Sequence, residues 1–242
     1  MIGKMKQICF AVLLSALCVS TASGFEVLTE DYPPYNYMEN GRITGLATEV
    51  MRELFKKVGH EDNIKLMPWA RIYKKLLTRP GKIVYVMTRT AEREKLMKWV
   101  GPVAGNKWVF FARKGSQIKI HNLDDARKVG SIGTYRDDVC ETFLKNRGFT
   151  NLESVPVDQR NVEKLVRGRI DLWIVGELQG IFKAARDGHA DDIEKVYEIS
   201  NTDLYIAFSR QTPDAEIARW QAALDELKRS GKFDEIVSGY LN

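Results

Sequence analysis

From Phe25 onward, short apolar runs alternate with stretches whose apolar residues recur every three or four positions, which predicts strands alternating with helices. Residues 25–29 read as a strand. Val50, Leu54, Phe55 and Val58 share one face of a helix over 48–58 that Gly59 stops. Residues 64–67 and 83–87 read as the second and third strands, with a helix over 70–77 between them. This β-α-β-α-β order predicts a largely parallel sheet with helices on its faces. Between the first strand and the first helix, Glu30-Asp31-Tyr32-Pro33-Pro34-Tyr35 must run extended, because each proline disfavours helix at the residue before it. Asn40-Gly41 marks a turn.

The pattern then starts again. Residues 108–112 form an apolar strand, and the polar stretch 113–116 suggests a crossing into a second unit. In that unit 129–132 reads as a strand, Gly133-Thr134-Tyr135-Arg136 as a turn, and 137–145 as a helix. A short strand over 155–157, a helix over 161–166, a buried strand over 171–175 and a helix over 178–185 follow. Residues 204–208 read as a strand that crosses back, and helices over 214–230 and 233–240 rejoin the first unit.

The first 24 residues stand outside this pattern. Lys4 and Lys6 precede an apolar run over 8–19, and small residues follow to Gly24, the layout of a secretory signal peptide. At about 12 residues the run is shorter than the roughly 20 needed to span a bilayer. A membrane-retained start is the alternative. Cys18 follows Leu17 rather than a small residue, which argues against a lipid anchor.

The whole chain has 242 residues, 44% hydrophobic and 29% charged, which excludes a disordered tail, a collagen and a disulfide scaffold. Its net charge of +5 becomes +3 once residues 1–24 leave with their two lysines, too little and too dispersed for a nucleic-acid surface. Cys9 and Cys18 leave with the same segment. Cys140, then alone, cannot form an internal disulfide and is expected to be a buried thiol. His60, His121 and His189 have no metal-ligand spacing. No Gly-x-Ser-x-Gly elbow, P-loop or Cys-x-x-Cys occurs, so neither metal nor cofactor is expected.

Several motifs carry a resemblance that periodicity does not. Tyr32-Pro33-Pro34-Tyr35-Asn36-Tyr37, Asn40-Gly41, Gly45-Leu46 and Glu49-Val50 resemble the opening of bacterial periplasmic solute-binding proteins of family 3, the polar amino-acid type. Met87-Thr88-Arg89-Thr90-Ala91-Glu92-Arg93, then Trp99 and Gly101-Pro102, is similar to that family's threonine-rich stretch ending in Glu-Arg. Gly130 to Thr134, Gly168-Arg169-Ile170-Asp171-Leu172 and Gly231 to Ile236 extend the likeness across nearly all of the chain after residue 24.

The resemblance implies an α/β, type II periplasmic-binding-protein-like clamshell, each lobe a mostly parallel sheet flanked by helices. Lobe 1 would span 25–111 and 204–242, lobe 2 would span 112–203, and the strands at 108–112 and 204–208 would form the hinge. It also implies that Arg93, with groups around Thr88, grips the ligand's α-carboxylate, for which a guanidinium offers a planar fork. Thr134, Tyr135 and Arg136 would add a helix-start contact. Tyr32, Tyr35 and Trp69 lie at carboxyl ends of strands, where open α/β sheets bind ligands, and Glu30 and Arg71 fall near the same edge. Arg71 would read a second anionic group or lie on the surface.

One position departs from the family. The aspartate that accepts the ligand's ammonium falls on Gly176. Glu177, one residue on, either substitutes for it or is simply solvated. A buried ammonium without a carboxylate is strongly penalised, which puts an α-amino acid ligand in question.

The expected function is therefore that of a monomeric periplasmic binder, not membrane-spanning once processed and with no nucleic-acid partner. It would capture a small polar carboxylate-bearing solute for an inner-membrane ABC permease or a sensor. The alternative is an enzyme on the same scaffold, such as a cyclohexadienyl-type dehydratase using Glu177 or Glu30 as general acid. A partner-recognition module with a weak cleft is a third reading.

Overall fold

A computed structural model describes residues 24–241. The expected signal peptide lies outside the described residues except for Gly24. The first half of the fold contains β1 (Glu26–Thr29), a hairpin of β2 (Tyr37–Glu39) and β3 (Arg42–Thr44), α1 (Leu46–Val58), β4 (Lys65–Leu66), α2 (Trp69–Thr78) and β5 (Lys82–Thr88). The long strand β6 (Met97–Arg113) then leads to α3 (Leu123–Ala126), β7 (Ile132–Tyr135), α4 (Val139–Asn146), β8 (Leu152–Val155), α5 (Arg160–Val166), β9 (Leu172–Gly176) and α6 (Glu177–Arg186). A second long strand, β10 (Ile193–Ser209), returns the chain to α7 (Asp214–Arg229) and α8 (Lys232–Leu241).

All strands outside the hairpin form one eight-stranded sheet in the order β4-β1-β5-β10-β6-β9-β7-β8. Within it β4, β1 and β5 are parallel, as are β8, β7 and β9, while β6 and β10 run antiparallel through the middle. The hydrogen-bonded ladder is therefore continuous, where two separate sheets were expected. The pairing along the ladder changes from one half to the other. Residues 204–208 of β10 pair with β5, but Trp108–Ala112 of β6 pair with β9, so 108–112 sit on the second half's side of the crossing. The stretch that pairs with neither outer strand lies around Gly105, Asn106 and Lys107, opposite Asp203, Thr202 and Asn201.

Each half buries both faces of its part of the sheet, as the alternation of side chains along β6 requires. Trp108, Phe110 and Ala112 pack with Ile132, Leu172 and Ile174 on one face, whereas Val109 and Phe111 pack with Trp173, Val175 and Ala184 on the other. In the first half Val27, Ile83 and Phe208 face α1 and α7, and Leu28, Val84 and Ala207 face α2.

Two local expectations fail for tertiary reasons. The strand expected at 129–132 and the turn at 133–136 are replaced by β7 over Ile132–Tyr135, and the strand expected at 155–157 lies at Leu152–Val155. Gly133 signalled a turn, but it is a packing glycine. A Cβ there would come within 2.4 Å of Ile170 Cδ1 and 2.7 Å of Asn161 Oδ1.

Gly45 is a second enforced glycine. It precedes α1 with φ 112°, and its N-terminal neighbours in space are the carbonyls of the proline loop. The N–H of Leu46 donates to Pro34 O at 3.0 Å, and that of Ala47 to Tyr35 O at 2.8 Å. Loop carbonyls thus satisfy helix-start donors that a capping side chain usually serves. A Cβ on Gly45 would lie 2.6 Å from Tyr35 O. Gly45→Ala is expected to destabilise the protein by about 1–3 kcal/mol. Urea unfolding checks this, and a change within about 0.5 kcal/mol would show that the loop yields without cost.

Candidate functional site

The carboxyl ends of β1, β5 and β7 bring loops of the two halves against each other. After β1, the loop is closed by a bridge between Tyr32 and Asn36, and Asn36 Nδ2 donates to Glu30 O at 2.7 Å. The loop is also fastened to the crossing in β6. Tyr35 donates its hydroxyl to Gly105 O at 2.9 Å, and Tyr32 accepts from Asn106 Nδ2 at 3.3 Å.

On α2 the inward positions are Trp69, Ile72 and Leu76, one helical face by spacing. Trp69 stacks on Tyr73 with centroids 5.1 Å apart and donates Nε1 to Asp137 O in the other half at 2.8 Å. The Arg93 guanidinium lies over both rings, 5.3 Å from Trp69 and 5.2 Å from Tyr73, a cation–π placement. Its Nη1 donates to Thr88 O at 3.3 Å. Arg93 is only 7% exposed, yet among the described residues no carboxylate forms an ion pair with it. Just before Thr88, Val86 sits at φ 64° where the β5–β10 register slips, a bulge that re-aims the strand end.

From the second half, Tyr135 ends β7 and packs against the Leu28–Trp69 cluster of the first half. Asp138 caps α4, accepting the Cys140 N–H at 3.0 Å. Cys140 is buried as expected, and burial together with the Asp138 charge pushes its thiol well up. Burial also raises the Asp138 carboxyl, although the Cys140 N–H and the Arg93 charge work against the shift. Deeper in, Lys183 of α6 and Asp158 form an ion pair at 2.8 Å whose side chains are 3% and 4% exposed. Asp158 also accepts from Trp173 Nε1 at 3.1 Å and from Asn161 Nδ2 at 3.0 Å. Glu30, 8% exposed, faces this group from the first half. Burial, reinforced by the Asp138 charge and opposed by Lys183 and Tyr135, pushes its carboxyl up to about 8.

The structure thus gathers Glu30, Tyr32, Trp69, Thr88, Arg93 and Tyr135 between the halves. Other expected site residues lie elsewhere. Arg71 and Arg136 are exposed, Arg71 because it falls between the inward positions of α2. Thr134 is fully buried inside β7, donating to Glu141 at 3.1 Å, and the turn that opens α4 lies further on, at Arg136 and Asp137. Tyr35 faces the core under α1. Glu177 pairs with Lys195 on β10 and replaces nothing at Gly176. A Cβ on Gly176 would meet Asn106 Oδ1 at 2.7 Å and the Tyr32 hydroxyl at 3.1 Å.

Sequence reasoning missed Tyr73, Asn106, Asp138, Asp158 and Lys183. Asp138 had a readable signal, an N-cap residue before an apolar helix. Lys183 had a weaker one, since it lies four residues after Gln179 on the face of α6 that also buries Gly180 and Ala184. Asn106 and Asp158 stand in unremarkable polar surroundings in the sequence.

The halves touch at further points, with Arg186 against Asp31 at 3.2 Å and Tyr37 against Phe182 at 5.0 Å between centroids. Chemically, the arrangement offers a buried, unpaired guanidinium to an anion, flanked by aromatic rings and by acids that are already protonated, paired or capping.

Residues 26–242 match the family described as bacterial extracellular solute-binding proteins, family 3. The arginine-binding extracellular protein ArtP of Bacillus subtilis is 24% identical over 243 aligned positions, which cover 94% of this chain and 92% of ArtP. Among solved structures, a histidine kinase sensor domain with similarity to periplasmic binding proteins superposes with a TM-score of 0.82 at 22% identity, covering 90% of this chain and 96% of that one. An ancestral arginine-binding protein bound to arginine gives 0.80 at 21% identity, covering 90% and 99%. At these identities the structural likeness establishes the two-lobed α/β fold.

Proposed function

The chain belongs to the bacterial extracellular solute-binding proteins of family 3, and from that premise we propose that it captures a small polar solute through the solute's carboxylate. Capture takes place between the lobes, in the periplasm, and the loaded monomer passes its solute to an inner-membrane ABC permease or presents it to a sensor. The observation that carries this reading is Arg93, a guanidinium 7% exposed, held by Trp69, Tyr73 and Thr88 and in ion-pair contact with no carboxylate among the described residues. A buried cation costs stability unless it is paired. A ligand carboxylate supplies the missing charge in the bidentate geometry that suits guanidinium.

Lobe 1 presents Arg93, Trp69, Thr88 and the Glu30–Tyr32 loop, and lobe 2 presents Tyr135 and Asp138. The lobes bend against each other where β6 and β10 cross, around Asn106 and Thr202. Hinge closure over a solute then makes the Trp69–Asp137 contact a reporter of the closed form.

The test is thermal unfolding of the protein lacking residues 1–24 against amino acids, their derivatives and amine-free carboxylates. A compound at about 100 times its dissociation constant stabilises by about 2.7 kcal/mol. Arg93→Ala is expected to abolish that shift for every carboxylate that produces it. A variant that kept the full shift would sink the assignment of Arg93.

Glu30 gives the enzyme reading its one specific support, because a buried carboxyl that holds its proton up to about pH 8 is a positioned acid. Product formed from prephenate or arogenate by the purified protein, and lost in Glu30→Gln, would establish it. Saturable binding without product removes it.

A further inference from the structure

Asn106 is 5% exposed, on β6 at the crossing between the lobes. Its Nδ2 donates to the Tyr32 hydroxyl at 3.3 Å, and its Oδ1 has no hydrogen-bond partner. That oxygen lies 2.7 Å from the position a Cβ on Gly176 would occupy, so the carboxamide fills the space in which a side chain at 176 would have to sit. Tyr32 belongs to the loop that also carries Glu30, closed by its bridge to Asn36 and by the Asn36 Nδ2 bond to Glu30 O at 2.7 Å, so the Tyr32–Asn106 pair fastens that loop to the crossing between the lobes.

Resting on the reading of this cleft as a carboxylate site, we infer that Asn106 is its specificity-determining residue, taking an uncharged N–H or O–H donor of the solute on Oδ1. The solute is then a carboxylate whose neighbouring donor is a hydroxyl or an acylated nitrogen, and free amino acids are disfavoured.

The charge inventory supports this. An ammonium placed against Asn106 meets a neutral amide, whose hydrogen-bond partner is the Tyr32 hydroxyl and not a carboxylate. Asp158 is paired with Lys183, Glu177 with Lys195, Asp138 caps α4, and Glu30 holds its proton. A buried ammonium without a counter-charge is penalised, whereas a neutral donor satisfies a buried acceptor that otherwise pays for its lost water. An aspartate at 176 is excluded sterically for as long as Asn106 keeps its place.

The experiment is calorimetric titration of the protein lacking residues 1–24 with matched triplets. Each consists of an amino acid, its 2-hydroxy acid and its N-acetyl derivative, with side chains chosen to span acidic, basic, polar and aromatic types. For the side chain that binds best, the hydroxy acid or the N-acetyl compound is expected to bind about tenfold or more tighter than the amino acid, and which of the two leads identifies the donor. Asn106→Asp is expected to reverse the order in favour of the amino acid, with circular dichroism confirming that the variant folds. If that variant does not fold, the wild-type triplets decide alone. Binding led by free amino acids overturns the inference and leaves the carboxylate reading standing. Binding of none of the compounds overturns that reading, and this inference with it.

Discussion

Lys183→Met is expected to lower the unfolding free energy by about 3–5 kcal/mol, because it leaves Asp158 buried without its counter-charge. Both side chains are almost completely shielded from water and 2.8 Å apart, so the aspartate cannot recover hydration when the lysine goes. The remaining donors, Trp173 Nε1 and Asn161 Nδ2, hold the carboxylate in place but bring no charge. A double replacement, Lys183→Met with Asp158→Asn, is expected to regain most of the loss, since the amide oxygen still accepts from Trp173 and no charge is stranded. Urea unfolding of the two variants beside the parent measures both quantities. A single-variant loss below about 1 kcal/mol would mean that water reaches the pair, as at an exposed salt bridge.

The second large effect is a pH dependence that belongs to Glu30. Its carboxyl holds its proton up to about pH 8 when folded, against an ordinary value of 4.5. Below about 4.5 the folded and unfolded chains both carry this proton, and the group costs nothing. Between 4.5 and about 8 unfolding releases the proton, so stability falls as pH rises, by up to about 1.4 kcal/mol per pH unit. Above about 8 the full penalty stands. Glu30→Gln removes the titration, so its stability advantage over the parent is expected to grow steadily from pH 5 to pH 8 and then level off. Paired unfolding curves at pH 5, 6, 7, 8 and 9 decide the matter. A constant gap would mean that Glu30 ionises in the folded state as in water.

The two effects have one origin. Glu30 comes from the first lobe, while Asp138, Asp158, Lys183 and Tyr135 come from the second. The packing of the two lobes against each other therefore concentrates these acids in one place. With Glu30 protonated and Asp158 neutralised, Arg93 and Asp138 remain as charges without an ion-pair partner among the described residues, and the proposed carboxylate pairs with the first of them.

Much of this was legible along the chain. The helix over 48–58 was fixed by four apolar residues on one face and a glycine stop, and the observed α1 adds only the two residues that the proline loop caps. The buried strand at 171–175 and the helix after it needed only an uninterrupted apolar run and a change of period. The Thr88–Arg93 motif singled out the guanidinium that the fold then buries. The failures share a cause. Gly133 looked like a turn residue and proved to be a strand residue crowded by Ile170 and Asn161. Arg71 and Arg136 carry the right charge but face solvent. Glu177 sat at the right distance in sequence from Gly176, yet Lys195, eighteen residues on in β10, claims it.

The sequence by itself determined the order of strands and helices, the repeated α/β units and the arginine proposed here to take the solute's carboxylate. All of these follow from periodicity, capping and motif, which act over a few residues. The tertiary structure decided which polar groups face each other. Asn106 meets Gly176 and Tyr32, and Glu30 meets the Asp158–Lys183 pair, only because β6 and β10 cross the whole sheet and bring loops from both lobes to one place. The Asp158–Lys183 pair spans 25 residues and the Asn106–Tyr32 contact 74, separations that no local pattern records.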